Sequence, residues 1–183
     1  LGELRLRLSP ADGEPLFGSD RMRADFGSAE ANVAVALAHL GVASEYVTRL
    51  PDNALGDAAL DALQREGVGV RHVLRGAERL GLYFAAPSAD VAATQVVYDR
   101  SHSAFAAITA TMVSWAAILR DARWLHGTGI TAALGAGPVA ALGAGLGAAR
   151  AASVPVSIDL NYRPALWRER EAAPVVAPLV HGV

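Results

Sequence analysis

Two short apolar segments on either side of a long apolar helix constrain the fold of this chain most strongly. The segments are ARWLHGTG (residues 122–129) and VPVSIDL (154–160), and GPVAALGAGLGAARAAS (137–153) lies between them. The middle segment carries Pro138 in its first turn, where a helix tolerates proline. Strands that are apolar throughout are typical of a parallel sheet covered on both faces. The order strand, helix, strand therefore predicts a parallel α/β sheet.

A similar unit occurs earlier in the chain. The strands SEYVTRL (44–50) and VRHVL (70–74) flank LGDAALDALQREG (55–67), which is predicted to be a helix that ends at its last glycine. Another helix is predicted after Ser28, because serine is a favoured N-cap, and Gly41 is expected to stop it. These two units place most of the chain in one α/β core.

Helix periodicity predicts which side of the helix after Ser28 is buried. Val33, Leu37 and Leu40 are spaced i, i+4 and i+7, so they are expected to form its core face. A further helix is predicted at MVSWAAILRDA (112–122). Both helices would cover the parallel sheet.

The β-rich segments at about 3–27 and 80–101 do not follow this alternation of strands and helices. Alternation of apolar and charged residues from Leu4 to Leu8 predicts a half-exposed strand. LGLYFAAP (80–87) and TQVVYDR (94–100) are predicted to form a hairpin joined by PSAD. We expect these strands to pair as a separate small sheet, with the α/β core at about 28–79 and 102–183.

Composition excludes several classes of protein. The 183 residues are 52% hydrophobic and 19% charged, which fits one globular domain with a core. The net charge of -2 and the absence of a basic tract argue against nucleic acid as a partner. No cysteine or lysine is present, so thiol catalysis and lysine-dependent mechanisms are excluded within this chain.

Membrane and metal sites are also not predicted. The uncharged segment from Gly127 to Ala149 is broken by Pro138 and diluted by glycine and alanine, so it is not expected to span a membrane. The five histidines show no metal-ligand spacing, and no metal is predicted. His126, beside a glycine turn, is interpreted as a hydrogen-bonded structural residue.

FGSAEANVA (26–34) is the first candidate site. A turn of small residues at Gly27 and Ser28 leads into a helix N-terminus, where free backbone N–H groups can hold a polar ligand. Asn32 can both donate and accept hydrogen bonds to hydroxyl groups. The alternative is an ordinary capped helix with Asn32 on its solvent side, and the local pattern alone favours that alternative.

The predicted hairpin carries a second set of polar side chains. Tyr83, Tyr98 and Arg100 can share one face, because Tyr98 and Arg100 are two residues apart on a strand. Aromatic rings with polar tips and a guanidinium suit a hydroxylated, carboxylated ligand. The alternative, which this segment alone favours, is a cross-strand aromatic pair with a solvated arginine.

SIDLNYRP (157–164) is the third candidate. In an open parallel sheet, ligands bind beyond the carboxyl ends of the strands, and Asp159, Asn161 and Arg163 fall there. Arg163 could bind a carboxylate or phosphate with two hydrogen bonds. The alternative is an ion pair between Asp159 and Arg163 that closes a loop. Position and chemistry together favour the binding role.

HGTGITA (126–132) offers a competing function. It follows a strand and resembles a degenerate G-x-G-x-x-A dinucleotide-binding turn. The acidic residue expected about 20 positions further on is missing, since Asp159 comes later. The dinucleotide hypothesis is therefore weak.

Taken in order, these motifs resemble one family. FGSAEANVAVALAHLG looks like the G-G-x-x-x-N-x-A signature of ribokinase-like, PfkB-type carbohydrate kinases. RLPDNALGDAALDALQREGV resembles the segment that follows this signature in the family. The segments that resemble the 2-keto-3-deoxygluconate kinase branch are RLGLYF, VVYDRSHSAFA, WLHGTGIT and SIDLNYRPALW. The resemblance covers nearly the whole chain.

The resemblance implies an α/β fold in which a doubly wound parallel sheet carries a small β-sheet lid, with the sugar between them. Gly27, Ser28 and Asn32 would bind sugar hydroxyls, and Ile130 would line the pocket. Tyr83, Tyr98 and Arg100 would approach from the lid. Arg163 would bind the carboxylate of a sugar acid, while Asp159 and Asn161 would orient the site near the path of the phosphate.

The sequence departs from the family pattern at two places. Ser28 replaces the second glycine of the signature, so a side chain lies where the sugar normally approaches bare backbone. The later G-A-G-D signature, which supplies the catalytic aspartate and an anion hole, does not occur in these 183 residues. The catalytic base is therefore expected after Val183, and the chain is interpreted as an N-terminal fragment of a ribokinase-like domain, incomplete at its C-terminus.

The resemblance predicts the substrate side of an ATP- and Mg²⁺-dependent kinase that phosphorylates the terminal hydroxyl of 2-keto-3-deoxygluconate (2-dehydro-3-deoxygluconate). The fragment alone is expected to be inactive. A cytoplasmic location, a small-molecule partner, no membrane or nucleic acid partner, and a homo-oligomer formed through the lid are expected. Two alternatives stay open: a fructokinase or other PfkB-type sugar kinase, and a non-catalytic sugar-binding remnant with Ser28 as its lesion.

Overall fold

The computed structural model has a mixed α/β architecture, as the sequence predicts. The residues that it describes are 1–11, 14–18, 20–76, 79–86, 95–167 and 169–181. The strands are β1 (Arg5–Ser9), β2 (Arg23–Gly27), β3 (Thr48–Pro51), β4 (Val73–Gly76), β5 (Gly81–Ala86), β6 (Gln95–Asp99), β7 (Leu125–Thr128) and β8 (Val156–Asp159). The helices are α1 (Ala29–His39), α2 (Ala54–Arg65), α3 (Trp115–Leu119), α4 (Gly129–Ala132), α5 (Ala136–Ala151) and α6 (Glu169–Val180).

The two predicted strand–helix–strand units form parallel pairs. β3 pairs with β4 across α2, and β7 pairs with β8 across α4 and α5. Asn53 caps α2 by accepting hydrogen bonds from the backbone N–H groups of Leu55 and Gly56, and Gly67 follows its end with a φ of 78°. The predicted parallel α/β arrangement is therefore confirmed. β8 is only half-buried, so it is less enclosed than its apolar sequence predicts.

The β-rich segments combine into one four-stranded sheet with the order β2-β1-β5-β6. β1 pairs antiparallel with β2 and parallel with β5, and β5 and β6 form the predicted antiparallel pair. The PSAD residues predicted to join that pair lie outside the described residues. That the sheet acts as a lid stays a prediction.

Two apolar clusters hold these layers together. Leu4, just before β1, and Leu6 of β1 pack with Ala31 and Ala34 of α1 and with Tyr46, so the apolar side of the four-stranded sheet is anchored to the α/β core. A second cluster joins α3 and α5 to β7 through residues such as Trp115, Leu142, Leu146 and Leu125. The polar side of the four-stranded sheet is left to face the candidate site.

The predicted core face of α1 is wrong. Val33 and Leu37 are more than one-third exposed, and Leu40, just past the helix, is 78% exposed. The buried residues are Glu30, Ala31 and Ala34. Small alanine side chains let the helix approach the sheet closely, and that close packing turns the larger apolar side chains outward.

Three further expectations need correction. β1 is not half-exposed, because Arg5 on its polar side is only 8% exposed. The helix predicted at 112–122 is reduced to α3, preceded by a 3₁₀ turn over Ala110–Met112. The predicted glycine turn after β7 is instead the start of a helix, since Thr128 caps α4 and Gly129 is its first residue.

None of the helices that the structure describes has the length and apolar character needed to cross a membrane.

Candidate functional site

One cavity of about 530 Å³ lies between the polar side of the four-stranded sheet, the start of α1 and α4. Eight of the ten predicted site residues line it: Gly27, Ser28, Asn32, Tyr83, Tyr98, Arg100, Ile130 and Arg163. Asp159 and Asn161 do not line it. Segments that are far apart in the sequence therefore converge on one space.

The start of α1 forms one wall of this cavity. Ser28 Oγ accepts a hydrogen bond from the backbone N–H of Ala31 at 3.0 Å and lies 2.9 Å from Tyr46 Oη. Burial raises the pKa of Tyr46, so its phenol stays neutral and can donate. The prediction that Ser28 is the N-cap is confirmed, and its hydroxyl is already engaged by the protein.

Asn32 and Gly27 lie close together on the same wall. A Cβ added to Gly27 would lie 3.8 Å from Asn32 Oδ1, so the amide faces the glycine backbone. Asn32 is exposed and also lines the cavity, which leaves its amide available to a hydroxylated ligand. The structure therefore combines the capped helix of one sequence interpretation with the ligand-accessible Asn32 amide of the other.

Glu30 connects the start of α1 to the cavity wall formed by α4, a contact that the sequence pattern does not predict. Its buried carboxylate accepts hydrogen bonds from Thr128 Oγ1 at 2.5 Å and from Thr131 Oγ1 at 3.3 Å. These contacts fix the first turn of α1 against the end of β7 and α4, where Ile130 lines the cavity. A charged residue in the first turn of a helix is ordinarily solvated, so only the three-dimensional contact identifies Glu30 as a positioning residue.

The hairpin supplies the aromatic part of the cavity. Tyr83 and Tyr98 are direct cross-strand partners with ring centroids 6.1 Å apart. The Cζ atom of Arg100 lies 5.9 Å from the centroid of the Tyr98 ring. Arg100 is buried and paired with Glu3, so it is not the solvated arginine of the alternative interpretation. Burial lowers the pKa of Arg100, and the coulombic effect of Glu3 opposes that shift.

Arg5 and Glu3 are site residues that sequence reasoning missed. Arg5 Cζ lies 4.8 Å from the centroid of the Tyr83 ring and 5.5 Å from that of Tyr98, which places a second guanidinium on the aromatic wall. Glu3 is 2% exposed and accepts hydrogen bonds from Arg100 Nη2 and Ser103 Oγ. The alternation in β1 indicates that Arg5 lies on the polar side of the strand. It does not indicate that this side is covered by the other walls of the cavity.

A further arginine at the cavity already has a partner. Arg7 Nη2 donates to Asp25 Oδ2 at 3.0 Å across the β1–β2 pair. This hydrogen bond is the main cause of the raised pKa of Arg7. The positive charge of Arg7 is therefore balanced within the protein.

The loop after β8 delivers Arg163 to the cavity. Asp159 accepts hydrogen bonds from the backbone N–H and the side-chain amide of Asn161, at 2.9 Å and 3.1 Å. Asn161 has a φ of 40°, a left-handed conformation that asparagine tolerates. The pair shapes the turn that leads to the exposed Arg163, and their proposed role near the phosphate stays a prediction.

The glycines of HGTGITA have a packing explanation. A Cβ on Gly129 would lie 2.2 Å from the backbone oxygen of Leu160, so only glycine permits this approach. His126 Nδ1 lies 2.8 Å from Ser157 Oγ, and burial lowers its pKa. These contacts support the structural interpretation of His126 and favour packing over dinucleotide binding.

A larger cavity, of about 720 Å³, lies on the other side of α1. Val33, Leu37 and Trp124 line it, together with backbone and side chains around Tyr46 and Leu125. It contains none of the predicted site residues. The smaller cavity is the better candidate site, because charged, aromatic and amide groups converge there.

The described residues contain no group of three or more histidine or acidic side chains that could hold a metal ion.

Known proteins with a similar sequence are carbohydrate kinases. A model of the pfkB family of carbohydrate kinases matches residues 6–183. The chain is 34% identical over 173 residues to the 2-dehydro-3-deoxygalactonokinase of Haloferax volcanii, covering 93% of this chain and 54% of that protein. It is 33% identical over 161 residues to the 2-dehydro-3-deoxygluconokinase of Bacillus subtilis, with coverage of 85% and 46%.

A solved structure supports the same assignment. The crystal structure of 2-dehydro-3-deoxygluconokinase from Thermotoga maritima superposes with a TM-score of 0.94 at 44% identity, covering 97% of this chain and 54% of that one. This likeness confirms the ribokinase-like fold. The chain spans about half the length of the curated relatives it matches. It belongs to the pfkB family of carbohydrate kinases.

Proposed function

We propose that this chain is the substrate-binding part of an ATP-dependent kinase that phosphorylates the terminal hydroxyl of 2-keto-3-deoxygluconate. The observation that carries the proposal is the 530 Å³ cavity, which has arginines and tyrosines on its sheet side and an amide and a helix N-terminus on its other side. Such a cavity matches a ligand with a carboxylate at one end and hydroxyls along its length.

The two sides of the cavity would bind different parts of the substrate. Arg100, with Tyr83 and Tyr98, would bind the carboxyl end, and Arg163 would approach the same end from the loop after β8. Gly27 and Asn32 would bind hydroxyls through backbone and amide groups, because an amide both donates and accepts. In this arrangement Asp159 and Asn161 would position Arg163 by holding the loop that carries it.

The phosphate donor and the catalytic base are assigned outside these 183 residues. The G-A-G-D signature does not occur in them. ATP would supply the phosphoryl group and Mg²⁺ would stabilise its charge. We therefore expect the 183-residue chain to bind substrate and to be inactive as a kinase by itself.

The names of the relatives give two sugar acids as candidate substrates, and the fructokinase alternative from the sequence adds one neutral sugar. The galactonate and gluconate acids share the carboxylate that the arginines would bind, so both are candidate substrates of one site. A fructokinase activity is less favoured, because a neutral sugar does not balance the charge of the arginines around this cavity.

A non-catalytic remnant is the candidate of another class. It would require Ser28 to block the site. The hydroxyl of Ser28 is directed to Ala31 and Tyr46, which argues against such a block.

The test is a phosphoryl-transfer assay on the complete reading frame that encodes these residues, with the 183-residue chain in parallel. We expect the complete product to phosphorylate 2-keto-3-deoxygluconate or its galactonate epimer with a higher kcat/KM than fructose, and the 183-residue chain to show no transfer. Higher kcat/KM with fructose would overturn the acid substrate. Failure with every sugar would favour the remnant.

A further inference from the structure

Arg5 carries a buried positive charge that the protein does not fully balance. Its side chain is 9% exposed, and its Nε and Nη1 atoms are buried without a hydrogen-bond partner. The nearest carboxylate oxygen, Oε2 of Glu3, is 3.9 Å from Nε, which is beyond hydrogen-bond length. Both oxygens of Glu3 accept shorter bonds, from Arg100 and Ser103.

The charges around the cavity add up to an excess of positive charge. Glu3 can balance only one of the two buried guanidinium groups, Arg5 and Arg100, and Asp25 balances Arg7. One buried guanidinium therefore remains without a carboxylate of its own, since the buried carboxylate of Glu30 is engaged by Thr128 and Thr131. The exposed Arg163 adds another positive charge at the rim. A buried charge without a partner is unfavourable unless something at the same place offsets it.

The position of Arg5 shows where that offset can come from. Its guanidinium lies against both Tyr83 and Tyr98, and all three residues line the cavity. Ring faces attract a cation, but they do not accept its N–H groups as strong hydrogen bonds. An anionic group of a ligand on this aromatic wall would supply the missing negative charge.

Resting on the proposed function, we infer that Arg5 is a specificity-determining residue that selects the anionic form of the ligand. Arg5 places the carboxylate of a sugar acid at the tyrosine wall next to Arg100, deep in the cavity. Arg163, which is exposed, is then secondary for the carboxylate. The ligand class that follows is a sugar with a carboxylate at one end, and neutral sugars of the same length are disfavoured.

The experiment compares 2-keto-3-deoxygluconate with its neutral methyl ester by calorimetric titration of the 183-residue chain. We expect the wild-type chain to bind the acid more tightly than the ester. Arg5→Met, which keeps most of the side-chain volume, should lower affinity for the acid by roughly tenfold or more, as the loss of a nearby charge at intermediate dielectric implies. Affinity for the ester should change by less than about twofold.

Three further variants separate charge from packing. Arg5→Lys should keep much of the preference for the acid, because it retains the charge and loses only the planar geometry. Arg5→Gln serves if Arg5→Met does not fold. Arg120→Met, an exposed change outside the cavity, is the control for the net charge of the chain and should leave both affinities unchanged.

Thermal unfolding of the free chain gives an independent readout. If the role of Arg5 is to bind the ligand carboxylate, Arg5→Met should keep or raise the Tm of the free chain. It should also reduce the increase in Tm that the acid produces. If Arg5 is only structural, the variant should unfold at a lower temperature and keep the wild-type ratio of acid to ester affinity, which would overturn the inference.

The remaining outcomes are distinguishable. Tight binding of the acid to both wild type and Arg5→Met overturns the role of Arg5 and leaves the proposed function standing. Equal or better binding of the ester and of fructose to the wild type overturns the role of Arg5 and the acid substrate, but not a sugar site. Binding of no sugar at all overturns both the inference and the proposed function.

Discussion

Glu30 Oε1 accepts a hydrogen bond from Thr128 Oγ1 at 2.5 Å, although the two residues are 98 positions apart in the sequence. This contact joins the first turn of α1 to the end of β7. The cavity wall that contains Gly27 and Asn32 is thereby fixed relative to Ile130. The geometry of the candidate site depends on this buried carboxylate.

Glu30→Ala should therefore destabilise the chain and weaken ligand binding together. The change leaves the hydroxyls of Thr128 and Thr131 buried without their acceptor, which should cost roughly 2–4 kcal/mol of unfolding free energy. Urea unfolding followed by circular dichroism measures the loss. Glu30→Gln is the matched control, because its amide oxygen can still accept, and it should lose less. Equal stability of Glu30→Ala and wild type would contradict this role.

Ser28→Ala tests the helix cap. The substitution removes the acceptor for the N–H of Ala31 and the partner of the buried Tyr46 hydroxyl. We expect a loss of roughly 1–3 kcal/mol in unfolding free energy. Ser28→Gly should also destabilise, and it should not improve sugar binding, since the hydroxyl does not block the cavity. A large gain in affinity from Ser28→Gly, measured by calorimetric titration, would show that Ser28 does crowd the ligand.

Two glycines should respond in opposite ways to alanine. At Gly129 the new Cβ would meet the Leu160 oxygen, so the loop that leads to Arg163 must shift, with a loss of about 1–3 kcal/mol. At Gly147, an exposed position inside α5, no atom lies within 4 Å of the new Cβ. Gly147→Ala should stabilise the helix by about 0.5–1 kcal/mol. Thermal unfolding of both variants measures the difference, and a stabilised Gly129→Ala would refute the close approach.

Acid pH should weaken the open end of the β5–β6 hairpin, where Arg79 and Asp99 meet. Arg79 donates two hydrogen bonds to the Asp99 carboxylate, which lowers the pKa of Asp99 below its ordinary value. The stability that this pair contributes is present above the unfolded-state pKa, about 3.9, and is lost as pH falls through the lower folded-state pKa. Asp99→Asn should remove that part of the pH dependence, as measured by unfolding free energies between neutral and acid pH. If the unfolding free energies of Asp99→Asn and of the wild type changed with pH in the same way, the Arg79–Asp99 pair would not be the source of this pH dependence.

Local patterns predicted the features that depend on neighbouring residues. Serine at position 28 indicated a helix N-cap, and the alternation and aromatic residues of 80–100 indicated a hairpin with Tyr83 beside Tyr98. Continuous apolar strands indicated parallel pairing around α5. In each case the decisive interaction is formed within one element or between two strands that follow each other in the chain.

Features that depend on distant contacts were not predictable. The apolar spacing of Val33 and Leu37 indicated the wrong face of α1, because close approach through Ala31 and Ala34 decided which side is buried. The strand that contains Arg5 was expected to be half-exposed, because its alternation does not reveal that a hairpin and a helix cover its charged side. Glu30 has a partner only because β7 ends beside it.

A crystal structure of the chain with bound 2-keto-3-deoxygluconate would test the sugar-acid role of the 530 Å³ cavity most directly. We predict that the carboxylate lies on the tyrosine wall within about 3 Å of a nitrogen of Arg5 or Arg100, and that hydroxyls reach Gly27 and Asn32 at hydrogen-bond distance. Sugar bound elsewhere, or with its carboxylate directed away from these arginines, would contradict the account.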